Sequence, residues 1–351
     1  MRRVKWSRKK QIDMDLKQKK QKQAKGPGQR KLSNLLALDF AHSGVKAVRL
    51  KKAKDRIILL AADILPPVDL DAGERPVLSK RLSAHYTSLC ASPQQVKLRV
   101  FGYALQEDEE LADVVRDNLS IADDFRVAGR VLVEGPPKKE SSILGVAIPE
   151  DVVGKHLDLF VTGAPAPHSL ELAGLAAFSA FMFNRGKQTA SQTVCLIETG
   201  RRFTYVAFFH KNKLQVINRF EVGGEALEKQ LQIALGVDEE MAGTILAGGS
   251  VDVADPVRAA LAPFIKQLAI YREFVERQSK SPLSGVYLSG GEATSVYWQR
   301  AIQDVLSLAP VVWNPFEKMD VPDDAYPENL KGQESRFAAA VGAALGGMEA
   351  L

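Results

Sequence analysis

The chain has 351 residues, enough for two domains that each bury a core. Its 46% hydrophobic, 7% aromatic and 25% charged residues are those of an ordinary globular protein, and two cysteines exclude a disulfide framework. The net charge of +5 is unevenly placed: residues 1–31 hold thirteen Lys/Arg and two Asp, +11, whereas the remaining residues hold 34 basic and 40 acidic side chains, about −6.

The basic segment 1–31 has almost no apolar residues, which predicts a disordered tail. Beyond an untethered terminus, its charge suits an anionic membrane surface, where each basic side chain contributes about 1 kcal/mol. Without interleaved aromatics to stack on bases, no specific nucleic-acid binding is expected. The tail lacks the apolar core of a signal peptide. The longest apolar stretch, Leu172 to Phe183, is too short to cross a bilayer. A cytoplasmic protein is expected.

Leu35–Phe40, Val45–Leu50 and Arg56–Ile64 read as three consecutive strands, the first apolar enough to be buried on both faces. Leu78, Leu82, Tyr86 and Leu89 then predict a helix from about Gly73 to Ala91. An α+β patch follows: strand Val96–Tyr103, acidic helix Glu107–Leu119, strands Phe125–Glu134 and Ser142–Ala147, and helix Pro149–Leu159. We take about 74–165 as a subdomain inserted into a first lobe spanning 32–168. Glu171 to Phe183 reads as a buried helix opening a second lobe, 169–351. A second strand trio, Gln192–Ile197, Phe203–His210 and Lys213–Val222, repeats the opening pattern. Helices after Gly223-Gly224 and from Asp238, the amphipathic helix Pro256–Gln278, strand Val286–Ser289, helix Ala293–Leu306, strand Val311-Val312 and the closing helix Arg336–Met348 complete the lobe.

Each trio has a carboxylate where a buried strand meets a turn, Asp39 and Glu198. Such an acid either holds a water of Mg²⁺ while Ser43 and the amides of His42, Ser43 and Gly44 approach phosphate oxygens, or caps its own turn. Gly290-Gly291 after a short strand either admits a base or ribose close to the backbone or forms a tight turn. Glu171 either orients a water for attack on a phosphate or is a helix N-terminal acid. The five histidines and two cysteines show no metal-ligand spacing. Walker A and G-x-S-x-G sequences do not occur.

From Leu35 onward the order of elements resembles the PilM family, actin-like cytoplasmic proteins of type IV pilus machines. Leu38-Asp39-Phe40-Ala41-His42-Ser43-Gly44-Val45-Lys46 resembles that family's first phosphate hairpin, and Leu170-Glu171-Leu172 its step into the second lobe. Ile197-Glu198-Thr199-Gly200 resembles the second phosphate loop, Val222-Gly223-Gly224-Glu225-Ala226-Leu227 the Gly-Gly-x-x-Leu loop, and Leu288-Ser289-Gly290-Gly291 the adenosine loop. Asn314-Pro315-Phe316 and Ala340-Val341-Gly342-Ala343-Ala344-Leu345 agree as well.

The resemblance implies an α/β, actin-like fold of two duplicated ribonuclease-H-like lobes with an inserted α+β subdomain. It implies an ATP/Mg site at Asp39, His42, Ser43, Gly44, Lys46, Glu171, Glu198, Gly200, Gly290 and Gly291, with Asp39 and Glu198 on the metal. Ala41 in place of Gly, His42 in place of a small hydroxyl residue and Glu198 in place of Asp depart from the pattern; they argue for a degenerate or regulatory nucleotide site. A Cβ at residue 41 obstructs backbone approach to phosphate and carries strain if φ there is positive.

The implied function is a scaffold of the pilus assembly platform, without a catalytic residue. It lies beneath the inner membrane, binds the cytoplasmic N-terminus of a PilN-like bitopic protein beside the inserted subdomain, and links other platform and motor components. An active ATPase or small-molecule kinase, a filament-forming actin homologue and a type II secretion platform component are the alternatives.

Overall fold

Two five-stranded sheets with the same strand plan organise this computed structural model, which describes residues 32–106, 108–136, 139–248 and 251–348. The basic tail expected at 1–31 lies outside the described residues. The first sheet has the order β3-β2-β1-β4-β8, from Asn34–Ala41 (β1), Gly44–Ala53 (β2), Arg56–Leu65 (β3), Tyr86–Ala91 (β4) and Ala166–Leu172 (β8). The second has the order β11-β10-β9-β12-β13, from Thr193–Thr199 (β9), Thr204–His210 (β10), Lys213–Phe220 (β11), Gly285–Ser289 (β12) and Val311–Val312 (β13). In both, an antiparallel trio is extended by two parallel strands. The duplication read from the two strand trios therefore extends to the whole sheet.

β1 is buried along Leu35–Phe40, as its unbroken apolar run requires. One contribution to that burial is the helix Ala338–Gly347 (α8), which packs on β1, β2, β4 and β8. Its Ala/Gly sequence is buried from Ala338 to Leu345 because its other side meets the helix Ala173–Thr189 (α3). α3 in turn packs on β9 and β10 of the second sheet. The final helix, expected to close the second lobe, thus returns to the first, and the α3–α8 crossing joins the two. The acidic loop 320–325 also returns: backbone bonds from Asp320 and Ala325 cover the free edge of β3.

The helix expected over 73–91 is not formed. Residues 80–82 make one short 3₁₀ turn, and Tyr86–Ala91 is β4, between β1 and β8. The spacing of Leu78, Leu82, Tyr86 and Leu89 imitated a helical stripe. Burial of Thr87 through Ala91 within a parallel sheet decided otherwise. Glu171, expected to begin a helix, is instead the last residue but one of β8; α3 starts at Ala173.

Between β4 and β8 lies a separate three-stranded sheet, β5-β7-β6, from Lys97–Tyr103 (β5), Phe125–Val133 (β6) and Ser141–Pro149 (β7). The helix Leu111–Leu119 (α1) covers one face, its Val114 and Val115 packing with Ile143 of β7. The helix Glu150–Asp158 (α2) leads back, and Leu159 and Phe160 already belong to the first-lobe core. The second-lobe core lies between its sheet and the helices Gly224–Leu235 (α4), Glu239–Gly248 (α5), Ala254–Ser279 (α6) and Val296–Leu306 (α7). Asp238 caps α5 as expected, its Oδ1 accepting from the Met241 amide at 2.8 Å.

Candidate functional site

The strand ends of both sheets converge on a cleft of about 500 Å³. Asp39, His42, Ser43, Lys46, Glu198, Gly200, Gly290 and Gly291 all line it. Two predicted residues do not. Gly44 sits just behind, its carbonyl accepting from Lys46 Nζ at 3.4 Å. Glu171 lies two strands from Asp39, in the register row Asp39–Cys90–Glu171 across β1, β4 and β8, and bonds to Ser169. As a strand-end side chain displaced along the sheet, it is not positioned on the cleft.

Asp39 is 6% exposed and Lys46 5%, and the two are register partners across β1 and β2. Asp39 does not cap its turn. Its Oδ1 is buried without a hydrogen-bond partner, and burial raises the carboxyl above its usual range, partly opposed by the Lys46 charge. Lys46 Nζ donates to Ser43 Oγ at 3.2 Å; burial pulls its ammonium below the usual lysine range, against the attraction of Asp39. Glu198 faces both. Burial first, then the Asp39 charge, push it up to about 8, with Lys46 pulling the other way. Two acids and one lysine from separate lobes thus share one poorly hydrated space.

The hairpin tip departs from its expected strain. Ala41 is a strand residue without a positive φ, and the turn is made by exposed His42 and Ser43 before Gly44, whose φ is +120°. His42 lines the cleft from this exposed turn and lies near enough to Glu225 to interact with it electrostatically.

The second-lobe loops are knitted together. Gly290, at φ +95°, presses on Thr199 so closely that only glycine fits, and its amide donates to the Ser335 carbonyl at 3.0 Å. The Glu292 amide donates to the Thr199 carbonyl, and the Gly224 and Glu225 amides at the start of α4 to the carbonyls of Gly200 and Arg201. Arg201 holds Glu228 through two bonds of 2.6 and 2.7 Å and Glu239 through a third of 2.9 Å. Glu292 is raised by burial, then by Glu228, and packs over Gly224.

Sequence reading missed Arg201, Glu292 and Arg336. Arg201 follows the second loop directly and was visible as a charge beside it. Arg336 was not: it reaches the cleft from the foot of α8 only because that helix returns to the first lobe. Its Nε is buried and unpartnered, while Nη1 donates to Gln333 Oε1 at 2.5 Å.

A phosphate group with its metal fits the first-lobe half of this cleft, where Lys46, Ser43 and the orphaned Asp39 oxygen stand. The second-lobe half is lined by Gly200, Arg201, Gly290, Gly291 and Glu292; there the Gly290 and Glu292 amides are bonded to protein carbonyls, Arg201 is held by two carboxylates, and the space over Gly291 is open. Among the described residues no helix is long and apolar enough to cross a membrane.

A family model described as type IV pilus assembly protein PilM matches residues 132–348. That span holds the second lobe and α8 but not the Asp39 hairpin. A solved PilM-PilN type IV pilus biogenesis complex is similar in structure, with TM-score 0.77 and 18% identity over 91% of this chain and 99% of that chain. MreB 5 of Spiroplasma citri, bound to AMPPNP, has TM-score 0.46 and 11% identity, covering 89% of this chain and 95% of that one. The ethanolamine utilization protein EutJ of Carboxydothermus hydrogenoformans has TM-score 0.45 and 15% identity, covering 95% and 98%. No curated protein sequence matches the chain. The fold is the actin-like α/β fold that the resemblance implied.

Proposed function

Because the chain belongs to the type IV pilus assembly protein PilM family, we propose that it is a cytoplasmic scaffold of the pilus assembly platform, peripheral to the inner membrane. It captures the cytoplasmic N-terminus of a PilN-like bitopic protein and links it to other platform and motor components. The family match over 132–348 carries this reading, and the similarity to the protein solved with PilN supports it.

The inserted sheet suits peptide capture. α1 covers the face that includes Phe101 and Ile143. The opposite face carries half-buried Leu98, Val100, Leu144 and Val146, paired Leu98 with Val146 and Val100 with Leu144. A row of partly exposed apolar side chains, on a sheet whose β5 runs beside β11 of the second lobe, gives a short amphipathic segment something to bury. The +11 tail favours a position near anionic lipid.

In this reading the cleft serves the scaffold, and no catalytic turnover is assigned to it. The test is capture of synthetic peptides, matching the cytoplasmic N-termini of single-span proteins encoded beside this gene, by the purified full chain. One peptide should be retained, with its scrambled version lost and Val100→Asp abolishing capture. Retention of none, or retention indifferent to Val100→Asp, refutes the proposal.

A further inference from the structure

We infer that the exposed face of α6 docks a second copy of this chain, the two α6 helices lying antiparallel about a two-fold axis at Ile270. The inference concerns the second lobe alone and rests neither on peptide capture nor on the cleft.

One stripe of α6, through Val257, Leu261, Phe264, Leu268 and Val275, enters the second-lobe core. The opposite stripe, Pro263, Lys266, Ile270, Phe274 and Arg277, recurs at steps of three and four and faces solvent. Ile270 and Phe274 are 47% and 42% exposed and stand one turn apart. Two large apolar side chains together at the centre of an outer helix face leave apolar surface for a partner to cover.

The charges around them choose the partner. Elsewhere on α6, Arg258 pairs with Asp255 and Arg272 with Glu276. Lys266 and Glu273, both exposed, form no ion pair or side-chain hydrogen bond with any described residue. Seven residues separate them, about 10 Å along the helix and only about 20° around it. They are too far apart to meet, yet they share one flank of the stripe, before and after Ile270.

A two-fold axis at Ile270 reverses the helix while keeping each flank against its own copy. It therefore brings Lys266 of each chain beside Glu273 of the other, twice over. Ile270 meets its own copy, Phe274 reaches the stretch from Pro263 to Gln267, and Arg277 faces Ala262 and Pro263. Along the stripe no like charges are opposed. A uniformly acidic or basic partner is repelled by one of the two free charges, whereas a second copy satisfies both. One helix face is a small contact, so the dimer is expected to be weak and reversible.

Cysteine cross-linking of the full chain tests this, because Cys90 and Cys195 are buried. With copper–phenanthroline as oxidant, Ile270→Cys should form an intermolecular disulfide at least about tenfold faster than Ile233→Cys on α4, although Ile233 is more exposed, at 79%. Adding Lys266→Glu or Glu273→Lys to Ile270→Cys sets like charges together twice and should slow cross-linking about fivefold or more. Mixing those two charge-reversed proteins should restore the rate, since each now complements the other. Sedimentation of the unmodified chain should show its average mass rising toward two chains as concentration is raised. A constant single-chain mass, equal rates at 270 and 233, indifference to charge reversal, or no recovery on mixing overturns the proposal and leaves the face to a different partner.

Discussion

Gly342 of α8 lies against the backbone carbonyl of Ala176 in α3, with no room between them for even a methyl group. This crossing is where the helix on the first sheet meets the helix on the second, and small residues on both sides let the backbones approach. A β-carbon at 342 forces the helices apart and disturbs both lobes at once. Gly342→Ala should therefore lower stability by roughly 1–3 kcal/mol, the usual cost of overpacking, although alanine is the better helix former. Gly154, where an added β-carbon meets nothing, is the control: Gly154→Ala in α2 should stabilise slightly. Urea unfolding of the two variants checks the contrast, and equal effects would show that the crossing yields.

His156 of α2 is 4% exposed, with Nδ1 2.7 Å from the Val152 carbonyl and its ring edge-on to Phe40. Burial lowers it below the ordinary histidine range, the Val152 bond opposing. With the folded value below the unfolded one, the unfolded chain binds more protons as the solution is acidified. The contribution is fully present above the unfolded value of about 6.5 and is lost as pH falls below it. His156→Phe should flatten the decline in stability between neutral and mildly acidic pH. Denaturant midpoints of both proteins across that range test this, and parallel profiles would refute it.

The lobes were legible because their strands are short apolar runs of simple pattern. Leu35–Phe40 and Thr193–Ile197 announce buried strands whatever surrounds them, and the carboxylate after each marks the same corner of a repeated unit. Tyr86–Ala91 was not legible, since its apolar residues share spacing with a helix and only the flanking strands β1 and β8 decide between them. The site was legible to the same depth. Asp39, Lys46 and Glu198 belong to local motifs, so their meeting followed from the duplication. Arg336 and the misplacement of Glu171 depend on where α8 docks and how β8 registers against β4, which are long-range outcomes.

Asp39 and Lys46 carry a desolvation cost that a packing role does not require. Each is shifted by burial toward its neutral form, and Asp39 Oδ1 has no partner. Replacing both with apolar residues of similar size, Asp39→Leu with Lys46→Met, should stabilise the protein by roughly 1–4 kcal/mol, as removal of buried charges together often does. Lys46→Met alone should destabilise, because Asp39 and Glu198 lose the cation that faces them. A thermodynamic cycle of the singles and the double reads both effects. A double variant less stable than the parent would show that the pair is structural.

Arg219 of β11 connects the second lobe to the strand that leaves for the inserted sheet. Its guanidinium lies 3.7 Å from the Phe203 ring centre, and its Nη2 donates to the Gln94 carbonyl at 2.9 Å. Phe203 and Gln94 both line the cleft, and β11 runs beside β5. The stacked cation fixes the segment between β4 and β5, on which the apolar face of Leu98 and Val100 depends. Phe203→Leu should cost about 0.5–2 kcal/mol, the range for a partly desolvated cation–π contact. Arg219→Ala should speed amide hydrogen exchange over residues 92–97 while leaving β9 protected. If exchange there is unchanged, the segment is held by the inserted sheet itself and the cleft has no purchase on it.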